Sequence, residues 1–259
     1  MDEIIDARKL ILALCNENMG DWECIYEDIK SKKRLPLEVI ENTKCDNKYV
    51  TIIDKTYPKD LKNREKPPFL LFYRGKYDLL IKEGNRMVVV NDHLSSSYST
   101  DTLISICKEL IKQVIFIMRI ESKKEKYFAK ILVDKGAKII AILSKGLDNI
   151  SEEDKELFDE LSTKGLIISE YPIGVQIKTR KTELSSLKLA VAIANSVLLG
   201  GVTRKSSYYA SVGYALANDL LIMSIPFNAG TNYVNNSLIR NGIELVENKE
   251  DVIEMLKMN

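Results

Sequence analysis

The sequence predicts an α/β protein with a doubly wound, mainly parallel sheet and a small N-terminal helical module. From about residue 49 onward, short apolar stretches alternate with helical stretches, whereas the first 45 residues show helical periodicity alone. Strands that are apolar throughout are typical of a parallel sheet covered on both faces, because both sides of each strand are buried. With 259 residues, 45% of them hydrophobic, the chain can form one large domain with a small appendage. The predicted fold is therefore Rossmann-like.

The N-terminal module is predicted to contain three short helices. Pro36 can open the third of them, since proline suits the first turn of a helix. We place the module at residues 1–46 and the Rossmann-like domain at residues 47–259. The apolar faces of the first two helices are Ile4, Ala7, Ile11 and Leu14, then Met19, Trp22, Tyr26 and Ile29.

The larger domain is predicted to contain eight strands and six helices in alternation. The candidate strands are Tyr49 to Ile53, Phe69 to Phe72, Met87 to Val90, Val114 to Met118, Lys138 to Leu143, Leu166 to Ser169, Val197 to Leu199 and Leu220 to Ile225. The candidate helices lie near residues 101–112, 123–135, 152–163, 181–195, 205–217 and 232–241.

A proline-rich segment leads into the second strand. It contains Tyr57-Pro58 and Pro67-Pro68 and runs on to Gly75. A residue before proline is pushed out of the helical region, so the path into Phe69 is predicted to be extended.

Composition excludes several classes of function. Lys plus Arg at 38 against Asp plus Glu at 37 gives a net charge of +1, so any nucleic-acid site must be local. The four cysteines have no CxxC spacing and His93 is the sole histidine, which argues against zinc and favours reduced thiols. The N-terminus lacks the pattern of a signal peptide and no apolar run is long enough to span a bilayer, so we expect a cytoplasmic protein. We predict no catalytic residues, no metal and no cofactor.

The loops that follow the strands are the candidate binding site, since ligands of parallel sheets bind beyond the carboxyl ends of the strands. The loop after Val90 is rich in serine, and Ser96 with nearby backbone N–H groups could hold a phosphate. A serine-rich turn that caps a helix is the alternative. Tyr98, Tyr208 or Tyr209 could stack on a base, although core packing is the alternative for each tyrosine.

The next two loops supply the cations. Arg119, Lys123 and Lys124 follow the strand at 114–118, where an exposed amphipathic helix is the alternative. Gly200-Gly201 precedes a second set of cations and hydroxyls, and the two glycines would let a ligand come close. From this loop the candidates are Gly200, Gly201, Arg204, Lys205 and Ser207, and the final loop adds Asn236, whose neighbouring asparagines could instead close a turn.

Four motifs resemble the DNA-processing protein A family, also called Smf. The proline-rich segment resembles its entry motif, from Tyr57-Pro58 through Pro67-Pro68 to Gly75. The other three are similar to its Gly-Leu-Asp turn, its G..iSEyP.G signature and its N.LI..GA segment; they are Ala137 to Asp148, Gly165 to Gly174 and Asn235 to Gly242. Their order and spacing agree from about residue 47 to the end of the sequence.

The resemblance implies a Rossmann-like, non-enzymatic protein that binds single-stranded DNA. It further implies delivery of that DNA to the recombinase RecA, in natural transformation or related recombination. The sequence leaves the oligomeric state open, with a homodimer as one alternative. Several of the family's pocket residues differ in this sequence. Of the family's G-S-R-x-x-S-x-Y-G loop, this sequence retains only Ser96 and Tyr98. Of the R-N-R motif it retains at most Lys188, and of the E...SGS loop it retains Ser207.

Two other functions remain open from the sequence. A nucleotide-binding sensor or a nucleoside-phosphate hydrolase on a related fold would use Gly200-Gly201, although the expected downstream Gly-Thr and glutamate are absent. A degenerate relative that acts only as an interaction module is the other alternative.

Overall fold

The fold is a single mixed sheet with helices on both faces, as seen in a computed structural model that describes residues 6–92, 96–176 and 179–258. Within these residues nine strands form one sheet in the order β1-β2-β6-β5-β4-β3-β7-β8-β9. β2 pairs antiparallel with both β1 and β6, and the other neighbours pair in parallel. The predicted fold class is confirmed. The strands are β1 (Lys48–Thr51), β2 (Leu70–Gly75), β3 (Asn85–Val90), β4 (Val114–Arg119), β5 (Lys138–Leu143), β6 (Leu166–Ser169), β7 (Ser196–Leu199), β8 (Leu221–Ser224) and β9 (Glu244–Leu245).

The helices lie between the strands and before the first of them. Those of the N-terminal region are α1 (Ala7–Glu17), α2 (Trp22–Lys30) and α3 (Leu37–Asn42), and Ile4, assigned to the face of the first helix, lies outside the described residues. The rest are α4 (Lys59–Lys62), α5 (Asp78–Ile81), α6 (Ser97–Leu110), α7 (Lys123–Asp134), α8 (Lys155–Lys164), α9 (Arg180–Ala192), α10 (Tyr209–Leu216), α11 (Asn235–Arg240) and α12 (Lys249–Met258). Among the described residues, no helix is both long and apolar enough to cross a membrane.

Burial on both faces explains why the strands are apolar throughout. In β5, Ile139 and Ala141 belong to one hydrophobic cluster, whereas Ile140 and Ile142 belong to the cluster on the other face. Successive side chains of a strand point to opposite faces, so a strand covered on both sides needs apolar residues at every position. This is the pattern that predicted β5 and β6 at their observed bounds.

At the C-terminal end one predicted helix begins too early, and two elements were not predicted. α10 begins at Tyr209 rather than near residue 205, because residues 204–208 form turns and Tyr208 caps the helix without a side-chain bond. Neither β9 nor α12 was predicted. β9 has only two residues and both are exposed, and α12 has Val252 as its single fully buried residue, so neither has a strong sequence pattern.

The N-terminal helices pack on the antiparallel end of the sheet, and the proline-rich segment joins the two. The Trp22 ring of α2 stacks on Phe69 at 5.3 Å, and its Nε1 donates a hydrogen bond to the Pro67 carbonyl at 2.8 Å. The hydroxyl of Tyr57 donates to the Pro68 carbonyl at 2.7 Å. The carbonyls of the two prolines therefore accept hydrogen bonds from an indole and a phenol. Lys66, directly before them, has a φ of 53°, so the predicted extended path is wrong at this residue, where the backbone is left-handed. The domain boundary between residues 46 and 47 stays a prediction.

Candidate functional site

The predicted site lies at the carboxyl edge of the sheet, where β3, β4, β5, β7 and β8 end side by side. Their loops are cross-linked by polar contacts. The Glu121 Oε1, after β4, accepts hydrogen bonds from the backbone N–H and the hydroxyl of Ser144, after β5, at 2.7 and 2.8 Å. Asn235 of α11 donates to the Gly200 carbonyl, after β7, at 2.7 Å and to the Ser224 hydroxyl, in β8, at 2.9 Å. The loops therefore form one connected surface.

Gly200 and Gly201 are tightly packed against α6. The Gly201 N–H donates to the Ser99 hydroxyl at 2.6 Å, and a Cβ added at Gly200 would lie 2.5 Å from Leu103 and 2.8 Å from that hydroxyl. The space beside the Gly200 α-carbon is filled by protein. The observed role of the glycine is to let α6 approach β7, and a contact with a ligand stays a prediction.

Ser96 and Tyr98 open α6, and residues 93–95, which include His93, lie outside the described residues. Ser96 is the N-cap: its hydroxyl accepts from the Ser99 N–H at 3.4 Å, and its own N–H donates to the Tyr233 hydroxyl at 2.7 Å. The Tyr98 ring is 51% exposed and meets the Phe227 ring edge-on at 5.6 Å. Tyr98 therefore presents an aromatic surface at this edge.

Arg119 is buried, although the sequence predicts a cation that contacts phosphate. It is 5% exposed, its guanidinium carbon lies 5.1 Å from the centre of the Tyr208 ring, and its Nη2 lies 3.6 Å from a carboxylate oxygen of Glu183. Its Nε and Nη1 are buried without a hydrogen-bond partner among the described residues. The tyrosine ring covers the guanidinium, so in this conformation Arg119 faces protein rather than solvent.

Lys123 and Lys124 are exposed at the first turn of α7, whose predicted start is confirmed. A capping box fixes this turn. The hydroxyl of Ser122 accepts from the Glu125 N–H at 3.2 Å, and Oε2 of Glu125 accepts from the Ser122 N–H at 2.6 Å. The other oxygen of Glu125 accepts a hydrogen bond from the hydroxyl of Tyr208. The start of α7 and the turn segment after β7 are thereby tied together.

Arg204 and Lys205 lie exposed on that turn segment, and the side chain of Ser207 is partly exposed. The segment is pinned at its start by Thr203, whose hydroxyl lies 3.4 Å from Asp92 and whose backbone bridges Tyr233. Among the described residues, no ion pair is found for Arg204 or Lys205. The two cations are therefore available to an external anion.

Lys188 and Asn236 are used elsewhere in the structure. Lys188 lies in the middle of α9, with its ammonium 4.9 Å from the centre of the Tyr214 ring of α10. The amide of Asn236 accepts from the Phe227 N–H at 2.9 Å and donates to the Phe227 carbonyl at 2.5 Å, which closes the loop after β8. Their predicted contacts with DNA stay predictions.

Glu170 is a carboxyl group whose pKa the fold raises. It follows β6, and its carboxylate accepts a hydrogen bond from the Ser185 hydroxyl at 2.7 Å. Desolvation by burial raises the pKa of Glu170 to about 7, while the Ser185 bond and the charge of Lys188 act in the opposite direction. This carboxyl group therefore changes protonation near neutral pH.

Sequence reasoning missed the residues that organise the edge. It treated Glu121 and Glu125 only as charges that offset lysines, it read the asparagines around Asn235 as a turn within one loop, and it gave Ser144 no role. One signal was present: Ser122 followed three residues later by Glu125 is the pattern of a capping box. The other contacts join segments far apart in sequence, and no local pattern predicts them.

A large cavity lies at the opposite, amino edge of the sheet and has a volume of about 660 Å³. It is lined by the residues that precede β3, β7 and β8, together with residues around α4 and Leu256 of α12. At the carboxyl edge, the cleft between Arg119, Lys124 and Tyr208 has only about 10 Å³. The candidate site is therefore a surface rather than a pocket.

The fold and its cationic carboxyl edge define a Rossmann-like protein with a ligand surface at the usual edge of the sheet. Residues 48–257 match the family described as DNA recombination-mediator protein A. The chain belongs to this family.

Relatives with solved structures share the fold. The chain superimposes on DNA processing protein A of Streptococcus pneumoniae with a TM-score of 0.80 and 18% identity, over 97% of this chain and 98% of that one. For the Helicobacter pylori protein, which has a described single-stranded DNA binding mode, the TM-score is 0.71 with 20% identity, over 83% and 99% of the two chains. Protein Smf of Synechocystis is 23% identical over 85% of this chain, which spans 57% of the length of Smf.

Proposed function

We propose that this protein binds single-stranded DNA along the carboxyl edge of its sheet and delivers it to a RecA-type recombinase, without catalytic turnover. Membership of the recombination-mediator family supports the class of function. The Helicobacter pylori relative, which binds single-stranded DNA, supports the ligand. The observation that carries the proposal is the hydrogen bond from Tyr208 to Glu125, because it brings two exposed cationic segments together.

The two segments have the charge and exposure that a nucleic-acid backbone requires. Lys123 and Lys124 open α7, and Arg204 and Lys205 lie on the turns that end at Tyr208. Contacts of lysine and arginine with phosphates supply most of the non-specific affinity for DNA. Because the net charge is only +1, the affinity must come from this local concentration of cations.

A preference for single strands follows from an exposed aromatic group at the same edge of the sheet as the cations. The half-exposed ring of Tyr98 can stack on an unpaired base, whereas the bases of a duplex are covered by their neighbours. Base stacking on an aromatic ring contributes about 1–3 kcal/mol per base.

The carboxylates at this edge support binding without catalysis. Glu121 accepts two hydrogen bonds from Ser144, and Glu125 accepts from the Ser122 backbone and from Tyr208. Each carboxylate is occupied by loop contacts that would have to break before it could act as a general base. The packed surroundings of Gly200 likewise leave little room for the nucleotide phosphate that a sensor or hydrolase would bind there.

Fluorescence anisotropy with single-stranded and double-stranded oligonucleotides, titrated with salt, tests the proposal. We expect tighter binding of the single strand and an affinity that falls steeply as salt increases. Equal affinity for both forms without a salt dependence would overturn it.

The recombinase and the homodimer need separate measurements. If the protein delivers DNA, it should accelerate the assembly of a RecA filament on single-stranded DNA. The ATPase activity of RecA measures this assembly. Light scattering on the purified protein decides between a monomer and a dimer. If the protein does not shorten the lag before RecA hydrolyses ATP on single-stranded DNA, the proposal is restricted to DNA binding.

A further inference from the structure

We propose that Tyr208 and Glu125 form a positioning latch that sets the affinity of the carboxyl edge for DNA although neither residue contacts the strand. This inference rests on the proposed function and assigns to two buried residues the control of the exposed cations. We call the pair the Tyr208–Glu125 latch.

The first half of the latch is a fully engaged carboxylate. Glu125 is 8% exposed, and its Oε2 accepts from the N–H groups of Glu121 and Ser122 at 3.0 and 2.6 Å. These bonds fix the orientation of the carboxylate, so Oε1 stays directed at the hydroxyl of Tyr208. A hydrogen bond to an ionised acceptor is stronger than one between neutral groups.

The second half of the latch is the tyrosine ring. Tyr208 is 5% exposed and covers the guanidinium of Arg119, which is held from another side by Glu183 of α9. The ring is therefore fixed by a cation beneath it while its hydroxyl is fixed by an anion. Removing the hydroxyl alone would break the hydrogen bond to Glu125 and keep the contact of the ring with Arg119.

The segment between Thr203 and Tyr208 is held by local turns and by bonds to the start of α10. The Tyr208 N–H donates to the Ser206 hydroxyl at 3.2 Å, and the Tyr209 N–H donates to the Ser206 carbonyl at 3.1 Å. Within the segment the Ser206 N–H donates to the Thr203 carbonyl at 3.1 Å, and α10 begins only at Tyr209. Arg204 and Lys205 therefore lie on a short arch that Thr203 holds at one end. The latch and the backbone bonds to the first turn of α10 hold the other end. Loss of the hydrogen bond between Tyr208 and Glu125 would loosen one end of the arch, so that Arg204 and Lys205 move relative to Lys123 and Lys124.

Fixed spacing of the cations reduces the cost of binding. Ordering a mobile side chain or loop on association opposes binding, and a pre-organised surface avoids this cost. A strand that touches both cationic segments at once depends on their relative position. The latch thus determines how many phosphates are neutralised together.

The test compares Tyr208→Phe with Tyr26→Phe. Each variant lacks one phenol hydroxyl and keeps its ring, but Tyr26 lies in α2, outside the latch, and is 42% exposed. We expect Tyr208→Phe to weaken single-strand binding roughly three- to tenfold. Its salt slope should become shallower by about 0.7 for each phosphate that the cations no longer neutralise. Tyr26→Phe should leave both values unchanged.

Glu125→Gln adds a conservative variant, because glutamine can still form a hydrogen bond with the tyrosine hydroxyl. Its affinity should lie between those of the original protein and Tyr208→Phe. Hydrogen exchange of the amides of residues 203–208, measured without DNA, should be faster in Tyr208→Phe than in Tyr26→Phe. A purely structural role for the latch would lower the melting temperature and leave the salt slope unchanged.

The outcomes separate the latch from the proposed function. If the original protein binds DNA and Tyr208→Phe has the same affinity and slope, the latch is wrong and the proposed function stands. If the original protein binds no oligonucleotide, the proposed function fails, and with it the role of the latch in affinity. Faster exchange together with weaker, less salt-dependent binding supports the latch.

Discussion

The two edges of the sheet differ in how their polar groups are used. At the carboxyl edge the polar side chains form hydrogen bonds with one another and with the loop backbone, and the cleft there has a volume of only about 10 Å³. Lys123, Arg204 and Lys205 are exposed on its surface. At the amino edge a cavity of about 660 Å³ is lined by amides, carboxylates and Arg64. A long polyanion is recognised by a track of cations rather than by an enclosed volume. The larger cavity is therefore not the better candidate for DNA binding.

The largest effect is expected at the enclosed carboxyl group of Glu170. Its pKa of about 7 in the folded chain exceeds its ordinary value of 4.5, so the folded state binds the proton more tightly than the unfolded state. The contribution of Glu170 to stability is therefore greatest below pH 4.5, declines as pH rises to about 7, and stays low above that.

Glu170→Gln mimics the protonated group and should remove this decline. Urea unfolding at pH 8 should show the variant more stable by on the order of 1–3 kcal/mol, with no difference at the acidic end. An unchanged pH dependence would show that Glu170 is well solvated.

Tight packing at the carboxyl edge is tested by a pair of glycine variants. Gly200→Ala should lower the free energy of unfolding by about 1–3 kcal/mol, because the added Cβ would lie 2.5 Å from Leu103. Gly213→Ala, in α10 with nothing within 4 Å of the added Cβ, should raise it by roughly 0.5–1 kcal/mol. Equal effects in chemical denaturation would contradict the packing described at Gly200.

Charge reversal compares the two edges directly. The double variant Arg204→Glu, Lys205→Glu should lower oligonucleotide affinity on the order of tenfold or more at moderate salt, because it removes two attractions and adds repulsion. The matched control is Lys59→Glu, Lys62→Glu, which makes the same change of net charge on exposed lysines of α4 beside the amino-edge cavity. Anisotropy titrations should show the smaller loss in the control, and equal losses would mean that only net charge matters.

The smallest effect is expected inside the amino-edge cavity. Arg64 Nη1 donates to the side-chain Oδ1 of Asn218 at 2.6 Å, and its Nε has no partner among the described residues. Arg64→Met should change the free energy of unfolding by about 1 kcal/mol or less, since it removes one bond to a neutral acceptor. DNA affinity should stay the same, and a large loss of affinity would move the interface to this edge.

Local patterns predicted most of the fold and only part of the site. β5 and β6 were predicted at their observed bounds because their apolar runs are continuous and end at turn residues. β9 was missed because its two residues depend on pairing with β8 rather than on their own pattern. α10 was predicted too early because Thr203 to Ser207 are cap-forming residues that the structure uses in turns.

The sequence predicted the exposure of individual cations less well than it predicted the strands. Lys123 and Lys205 are exposed, as a polar helix start and a turn would suggest. Arg119 has similar sequence surroundings and is buried, because Tyr208 and Glu183 reach it from distant segments. Tertiary contacts of this kind decide which charges face solvent, and one sequence does not contain them as a local pattern.

Photo-crosslinking maps the interface most directly. A single-stranded oligonucleotide with photoreactive thymidines, irradiated in complex with the full chain and analysed by mass spectrometry, reports the residues within reach of the bases. If the strand binds at the carboxyl edge, we expect crosslinks in peptides that contain Tyr98, residues 119–126 and residues 203–209. Crosslinks concentrated around Arg64, Asn85 and Asp219 would place the strand at the amino edge and contradict binding at the carboxyl edge.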